Sequence, residues 1–256
     1  MSKYRHEAVR EDYTHYASGN VFLSMPGQPG FPVRLASEVF QTCFQLRART
    51  GGAPDRVVLY DPCCGAGYLL VTTAFRHWAQ IRFVIGSDIR EEALALARAN
   101  LSLLEESGLA ARLAEIEEAQ GREWRASREE AVRGVHFFLE RHAMLSARHP
   151  IGVRITRADA GSPQEVKAAA GDLLVDVAMV DVPYGELSDW QGALRTLATR
   201  EDAISRMLDS LLGVLSPGAV VAIVSPKRET VAHPGYARRK RLKIGKRMVT
   251  YLSPLP

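Results

Sequence analysis

Four apolar runs in this chain each lead into an aspartate. Val57-Val58-Leu59-Tyr60 meets Asp61, and Phe83-Val84-Ile85-Gly86 ends at Asp88. Val153-Arg154-Ile155 leads to Asp159, and the most apolar run, 173–180, ends at Asp181. Short continuous apolar runs mark strands buried on both faces. Stretches of helical periodicity separate them, and strands alternating with helices fold as a mostly parallel sheet covered on both sides. Ligands of such sheets bind beyond the carboxyl ends of the strands. The four aspartates therefore belong on one rim, facing a ligand with several hydroxyl or amine donors.

The helices follow from spacing. Leu35, Val39, Phe40, Cys43 and Leu46 mark a helix over 31–49, broken by Gly51-Gly52. A helix over 91–104 carries Glu91 and Glu92 in its first turn, where the helix dipole favours acids. A further helix, about 201–215, leads into a strand over 219–224. Asp88 and Asp159 lie 71 positions apart, whereas a strand–helix–strand unit needs only about 30 residues. The excess reads as two amphipathic helices broken near Gly121. The expected organisation is one domain over 1–256. It has an N-terminal extension and helix at 1–50, a helical insertion at 105–150 and a basic segment at 227–256.

Composition narrows the function. Of 256 residues 46% are apolar and 24% charged, enough for a core without staples. Cys43, Cys63 and Cys64 lack metal-site spacing, and the seven histidines show no H-E-x-x-H pattern, so no metal is expected. No apolar run reaches the roughly 18 residues of a membrane span, and residues 1–10 lack a signal core, so no membrane is expected and the cytoplasm is the expected compartment. The net charge of +4 conceals an asymmetry: residues 227–256 hold nine bases and one acid, leaving the remainder at −4. Such a segment points to a polyanion. Arg238, Arg239, Lys240, Arg241, Lys243, Lys246 and Arg247 are the candidate phosphate contacts, on a possible edge hairpin around Gly245.

Two loops carry the chemistry. Gly65-Ala66-Gly67 lets the backbone approach a ligand at a helix start. Leu70 stands where a dinucleotide fingerprint has its third glycine, and Asp88 stands 21 residues past Gly67, where an acid binds ribose. An adenosine-type ligand fits better than a pyrophosphate, although a tight turn with a capping acid would read alike. Asp181-Val182-Pro183-Tyr184-Gly185 offers a carboxylate and carbonyl for the N–H groups of a base, and a ring to stack on it. A Pro-Tyr-Gly turn with a buried aromatic is the plainer alternative.

Together these segments resemble the successive motifs of class I S-adenosylmethionine-dependent methyltransferases. Asp181-Val182-Pro183-Tyr184 is similar to the D/N-x-P-Y element of enzymes that methylate base nitrogens. The resemblance implies a Rossmann-like α/β fold with a mostly parallel seven-stranded sheet. It implies that Asp61, Pro62, Cys63, Gly65 and Gly67 hold the methionine part of S-adenosylmethionine, Asp88 the ribose, and Asp159 with Ala160 the adenine. Asp181, Pro183 and Tyr184 would hold the target base, and Phe31-Pro32 would close over the cofactor. Phe31 to Ala36, including Arg34, with 61–70, 181–186 and 242–245, further resembles the AviRa family of avilamycin-resistance rRNA methyltransferases. That likeness implies methylation of a guanosine in 23S rRNA, free or in the large ribosomal subunit, and a role in orthosomycin resistance. A monomer is expected. Asp181 is the candidate proton acceptor, with Glu186 second. A DNA base or small molecule as substrate, or an inactive RNA-binding protein, are the alternatives. A nicotinamide oxidoreductase is disfavoured by Leu70.

Overall fold

The protein is described by a computed structural model over residues 4–17, 19, 21–25, 30–53, 55–118, 125–182 and 190–256, without the side chains of 125–127. The strands are β1 (Val57–Asp61), β2 (Ile81–Asp88), β3 (Gly152–Arg157), β4 (Val175–Asp181), β5 (Leu215–Pro226), β6 (Tyr236–Ile244) and β7 (Arg247–Pro254). They form one sheet in the order β3-β2-β1-β4-β5-β7-β6. The first five are parallel, and β7 runs antiparallel to both β5 and β6. The helices are α1 (Val33–Arg49), α2 (Tyr68–Arg76), α3 (Glu91–Ser102), α4 (Glu106–Glu118), α5 (Arg125–Ser146), α6 (Pro163–Ala170) and α7 (Arg200–Leu212).

Successive strand side chains point to opposite faces, and the core divides accordingly. Val57, Leu59, Val177, Met179, Val220, Ala222 and Val224 pack with residues of α1, α2 and α3 on one face. Val58, Tyr60, Ala178, Val180, Val221 and Ile223 pack with residues of α6 and α7 on the other. Apolar burial of this kind stabilises by roughly 1.5–3 kcal/mol per large side chain. Local capping fixes where helices begin. Ser162 Oγ accepts the Glu165 N–H ahead of Pro163, and Thr199 Oγ1 accepts the Asp202 N–H.

The two helices expected in the insertion are α4 and α5, which pack on each other outside α3. The C-terminal hairpin lies at one edge of the sheet, as expected, and comprises two full strands: β6 is the edge strand, and β7 lies between it and β5. The apolar Val249, Tyr251 and Leu252 of β7 are buried and drive that placement. The helix after β1 ends at Arg76 and is followed by a single 3-10 turn over Trp78–Gln80.

The N-terminal segment is a structural part of the α1 face. Glu38, wholly buried on α1, accepts the backbone N–H groups of Arg5, His6 and Glu7 at 3.0, 2.7 and 3.0 Å. Glu7 in turn binds Ser37, Tyr13, Gln41 and Arg76. Tyr16 and Phe22 lie in an aromatic cluster with Phe75 and Phe138.

Candidate active site at the rim of the sheet

Asp61, Asp88 and Asp181 occupy the last positions of β1, β2 and β4. Strand alternation then decides their direction. Leu59 and Met179 face α1, so Asp61 and Asp181, two residues on, emerge on the same side.

The turn after β1 is built by hydrogen bonds. Cys63 N–H donates to Asp61 Oδ1 (3.0 Å), Cys64 N–H to the Ser87 carbonyl (2.9 Å) and Gly65 N–H to Asp88 Oδ2 (2.9 Å). Gly65 and Gly67 hold φ of +53° and +71°, a region costly for residues with a Cβ. A Cβ at Gly67 would lie 3.3 Å from Ala97, so that glycine also sets the approach of α2 to α3. A Cβ at Gly65 would meet nothing within 4 Å, so the turn faces open space there. Asn100 locks the turn from behind: Nδ2 donates to the Ala66 and Leu23 carbonyls, and Oδ1 accepts the Leu23 N–H.

Asp88 also receives the Arg90 N–H on Oδ1. Asp159 follows β3 and receives the Gly161 and Ala193 N–H groups. Each oxygen of these carboxylates keeps acceptor capacity. Ala158 N–H bonds the Asp88 carbonyl, and Ala160 beside Asp159 is buried.

Asp181 differs from the other three. Its Oδ1 is buried and accepts a hydrogen bond from no described residue. Burial pushes its carboxyl up to about 7, against the opposing pull of the Arg247 guanidinium. Burial also raises Asp61 well above the usual carboxylate range, and Asp181 and Asp88 add to this while the Cys63 N–H opposes it. The rim thus gathers four carboxyl groups, two of which, Asp61 and Asp181, are shifted upward by burial.

The chain as a whole has counterparts among known proteins. The model of the rRNA methyltransferase family AviRa matches residues 1–247. The chain belongs to the AviRa family. It is 38% identical to the 23S rRNA (guanine(2535)-N(1))-methyltransferase of Streptomyces viridochromogenes over 247 residues, covering 96% of this chain and 94% of that one. Two crystal structures of the rRNA methyltransferase AviRa from the same organism superpose with TM-scores of 0.84 and 0.82. Both are 36% identical, covering 98% of this chain and 96% of theirs. The AviRa fold is therefore the fold of this chain, with its Rossmann-like sheet and helical cover.

Within this AviRa-family fold the expected site residues are distributed as follows. Asp61 and Asp88 end β1 and β2, and Pro62, Cys63, Gly65, Gly67, Asp159 and Ala160 lie on the loops beyond β1 and β3. Pro183, Tyr184 and Glu186 lie outside the described residues. Phe31 is buried, and Pro32 caps α1. Arg34 turns elsewhere. Its guanidinium donates to the Glu7 and Ala8 carbonyls and lies 4.2 Å from the centroid of the Tyr4 ring. Cys63 packs its sulfur 3.9 Å from Met207 Sδ, and burial first raises both loop thiols well above their usual range, with Asp61 next.

The basic stretch is not one surface. Strand alternation turns Arg238, Arg241 and Lys243 toward the α7 face, with Leu252, Thr250 and Met248 as partners, while Lys240 lies over the Tyr251 ring on the α1 face. Arg239 Nε donates to Ser253 Oγ, and Lys246 is exposed in the turn. Arg247 leaves the group altogether. Its guanidinium lies 5.8 Å from the Phe31 ring centroid and within electrostatic reach of Asp181. Sequence reasoning did not give Arg247 a place at the rim, nor Asn100 and Glu38 their supporting roles. No local pattern marks them, because each acts across the fold.

Proposed function

We propose that this chain transfers a methyl group from S-adenosylmethionine to N1 of a guanine in 23S rRNA. The observation that carries the reading is Asp181: a buried carboxylate with an oxygen that meets no donor among the described residues, beside the glycine turn and heading the D-V-P-Y segment. The relative of 38% identity is named for the same reaction. The pocket suits the cofactor: the open backbone at Gly65 admits a ligand, the crowded Asp61–Asp88–Asp181 carboxylates favour a cationic one, and Asp88 and Asp159 retain acceptors for hydroxyl and amine groups. The bound cofactor supplies a methyl group already activated on a sulfonium.

The chain's own residues then position and deprotonate. Asp61, Pro62, Cys63, Gly65 and Gly67 hold the methionine end, Asp88 the ribose, and Asp159 with Ala160 the adenine. Phe31 and Pro32 close the near side, with Arg34 anchoring that wall. Asp181 accepts the N1 proton of guanine, and its carboxyl, poised near 7, is matched to proton transfer at neutral pH. Pro183, Tyr184 and Glu186 complete the base-holding segment. Most of the acceleration comes from positioning. Arg238, Arg241, Lys243 and Lys246 grip the RNA backbone outside the pocket, with Arg239 and Lys240 supporting them. The protein works as a monomer in the cytoplasm, on 23S rRNA free or within the large subunit. The product would block an orthosomycin contact on the ribosome. Among the described residues no helix is long and apolar enough to cross a membrane.

The test is incubation with labelled S-adenosylmethionine and, separately, 23S rRNA, 16S rRNA, tRNA, duplex DNA and large subunits. Label in 23S rRNA or the subunit, with one reverse-transcription stop at a guanine, is the expected result. Label confined to tRNA or DNA would refute the ribosomal assignment.

A further inference from the structure

Arg247 opens β7, and its register fixes its place at the rim. Asp181 pairs with Val224 on β5, Val224 pairs with Val249, and Arg247 stands one row further out, opposite Pro226. Val224 and Val249 face α1, and alternation turns Asp181 and Arg247 to that same face. Two strand spacings sideways and two residues along the strand, about 12 Å in all, separate their backbones, a gap that an arginine reaching inward and a flat base edge can fill together. The half-buried Arg247 side chain leans over Phe31, on the segment that opens α1. Phe31 thus lies beneath the cation. Among the described residues, the charged groups facing Asp181 are Asp61 from β1 and Arg247 from β7.

Guanine presents N1–H and O6 side by side on its Watson–Crick edge. When N1 loses its proton the negative charge is shared with O6. A carboxylate for N1–H alone leaves that oxygen uncompensated in a buried site.

We propose that Arg247 is a further catalytic residue, whose guanidinium binds O6 of the target guanine and stabilises the charge that collects there as N1 is deprotonated. This rests on the N1-methylation reading above. The N1–H bond breaks with its proton passing to the Asp181 carboxylate. The electron pair left on N1, shared with O6, forms the new N–C bond to the methyl group. The C–S bond that breaks leaves its pair on sulfur, which becomes a neutral thioether. Guanine gains a methyl and loses a proton, so it ends uncharged. Preorganised donors aimed at a developing oxyanion act strongly in a water-poor site, and a guanidinium offers paired donors to O6 and the neighbouring N7. The same contact selects guanine over adenine, which carries an amino group at that position.

The experiment compares wild type, Arg247→Met and Arg247→Lys on the RNA that wild type methylates. Single-turnover rates at saturating RNA are measured from pH 5.5 to 9, beside cofactor affinity by calorimetry and RNA affinity as a function of salt. Arg247→Met, which keeps the apolar stem over Phe31, is expected to lower the rate about a hundredfold. It should raise the apparent pKa of the rate by up to about one unit while leaving cofactor affinity within about twofold. Arg247→Lys should restore the pKa and only part of the rate, since an ammonium lacks the paired donors. An unchanged rate at saturating RNA with a shallower salt dependence would overturn the proposal and make Arg247 a phosphate contact. Loss of cofactor binding in both variants would overturn it in favour of a structural role. Failure of the underlying reading shows separately, as absence of N1-methylguanine with wild type itself.

Discussion

Asp181 shows how burial converts an ordinary side chain into a reagent. Its folded pKa lies near 7, above the usual 3.8, so the stability it contributes is complete below about 4 and is lost as pH rises through 7. Asp181→Asn removes that loss. The variant is expected to be more stable than wild type at pH 8, by at most about 4 kcal/mol for a shift of this size, and to converge with it near pH 4. Urea titrations at both pH values would show this. Methyl transfer should rise with pH through 7 in wild type and collapse in the variant, so a variant with full turnover would exclude Asp181 as the base. Gly67 offers a second residue-scale test. Gly67→Ala must hold φ near +71° and press a methyl on Ala97. It is expected to cost about 1–2 kcal/mol in thermal unfolding, with weakened cofactor binding. The sequence marked both residues, one by the strand run before it and one by the G-x-G spacing. It could not give the carboxyl its pKa, which depends on what surrounds Oδ1 in three dimensions.

The β6–β7 hairpin shows the same limit for an element. Its bases are consecutive in sequence, but a period of two distributes them over opposite faces, and antiparallel pairing to β5 brings Arg247 to the pocket. The exposed Arg238, Arg241 and Lys243 are left for the RNA backbone. Replacing all three by alanine should weaken RNA binding and reduce the slope of log affinity against log salt by about 2, at roughly 0.7 per phosphate contact. The rate at saturating RNA should stay unchanged. A lowered saturated rate with an unaltered salt slope would contradict the assignment. The parallel elements were more legible. Each apolar run from 57 to 181 is a strand, and each is followed by helix, because buried strands and amphipathic helices carry their periods locally. The hairpin was visible only as turn chemistry at Gly245, and its insertion depends on β5 supplying an open edge.

Across the whole molecule, the N-terminal segment joins elements distant in sequence into one wall of the pocket. Glu38 gathers three backbone donors from residues 5–7, and Arg34 ties the same stretch to α1. Glu38→Gln substitutes an amide that presents two donors to those N–H groups. It is expected to cost about 1–3 kcal/mol in urea unfolding and to speed proteolysis within the first 25 residues, while the sheet core stays protected. Unchanged stability and cleavage would show that the segment is held by its aromatic contacts instead. The sequence by itself determined the alternation of strand and helix, the aspartate at each strand end, the glycine turn and the presence of an insertion. These are written in apolar periodicity and turn residues, whose physics operates over a few positions. The tertiary structure decided which charges meet: Asp181 with Arg247, Asn100 with the Ala66 carbonyl, Glu38 with the N-terminal backbone. Those pairings depend on strand order, face and burial, which arise only when segments 30 to 80 residues apart pack together.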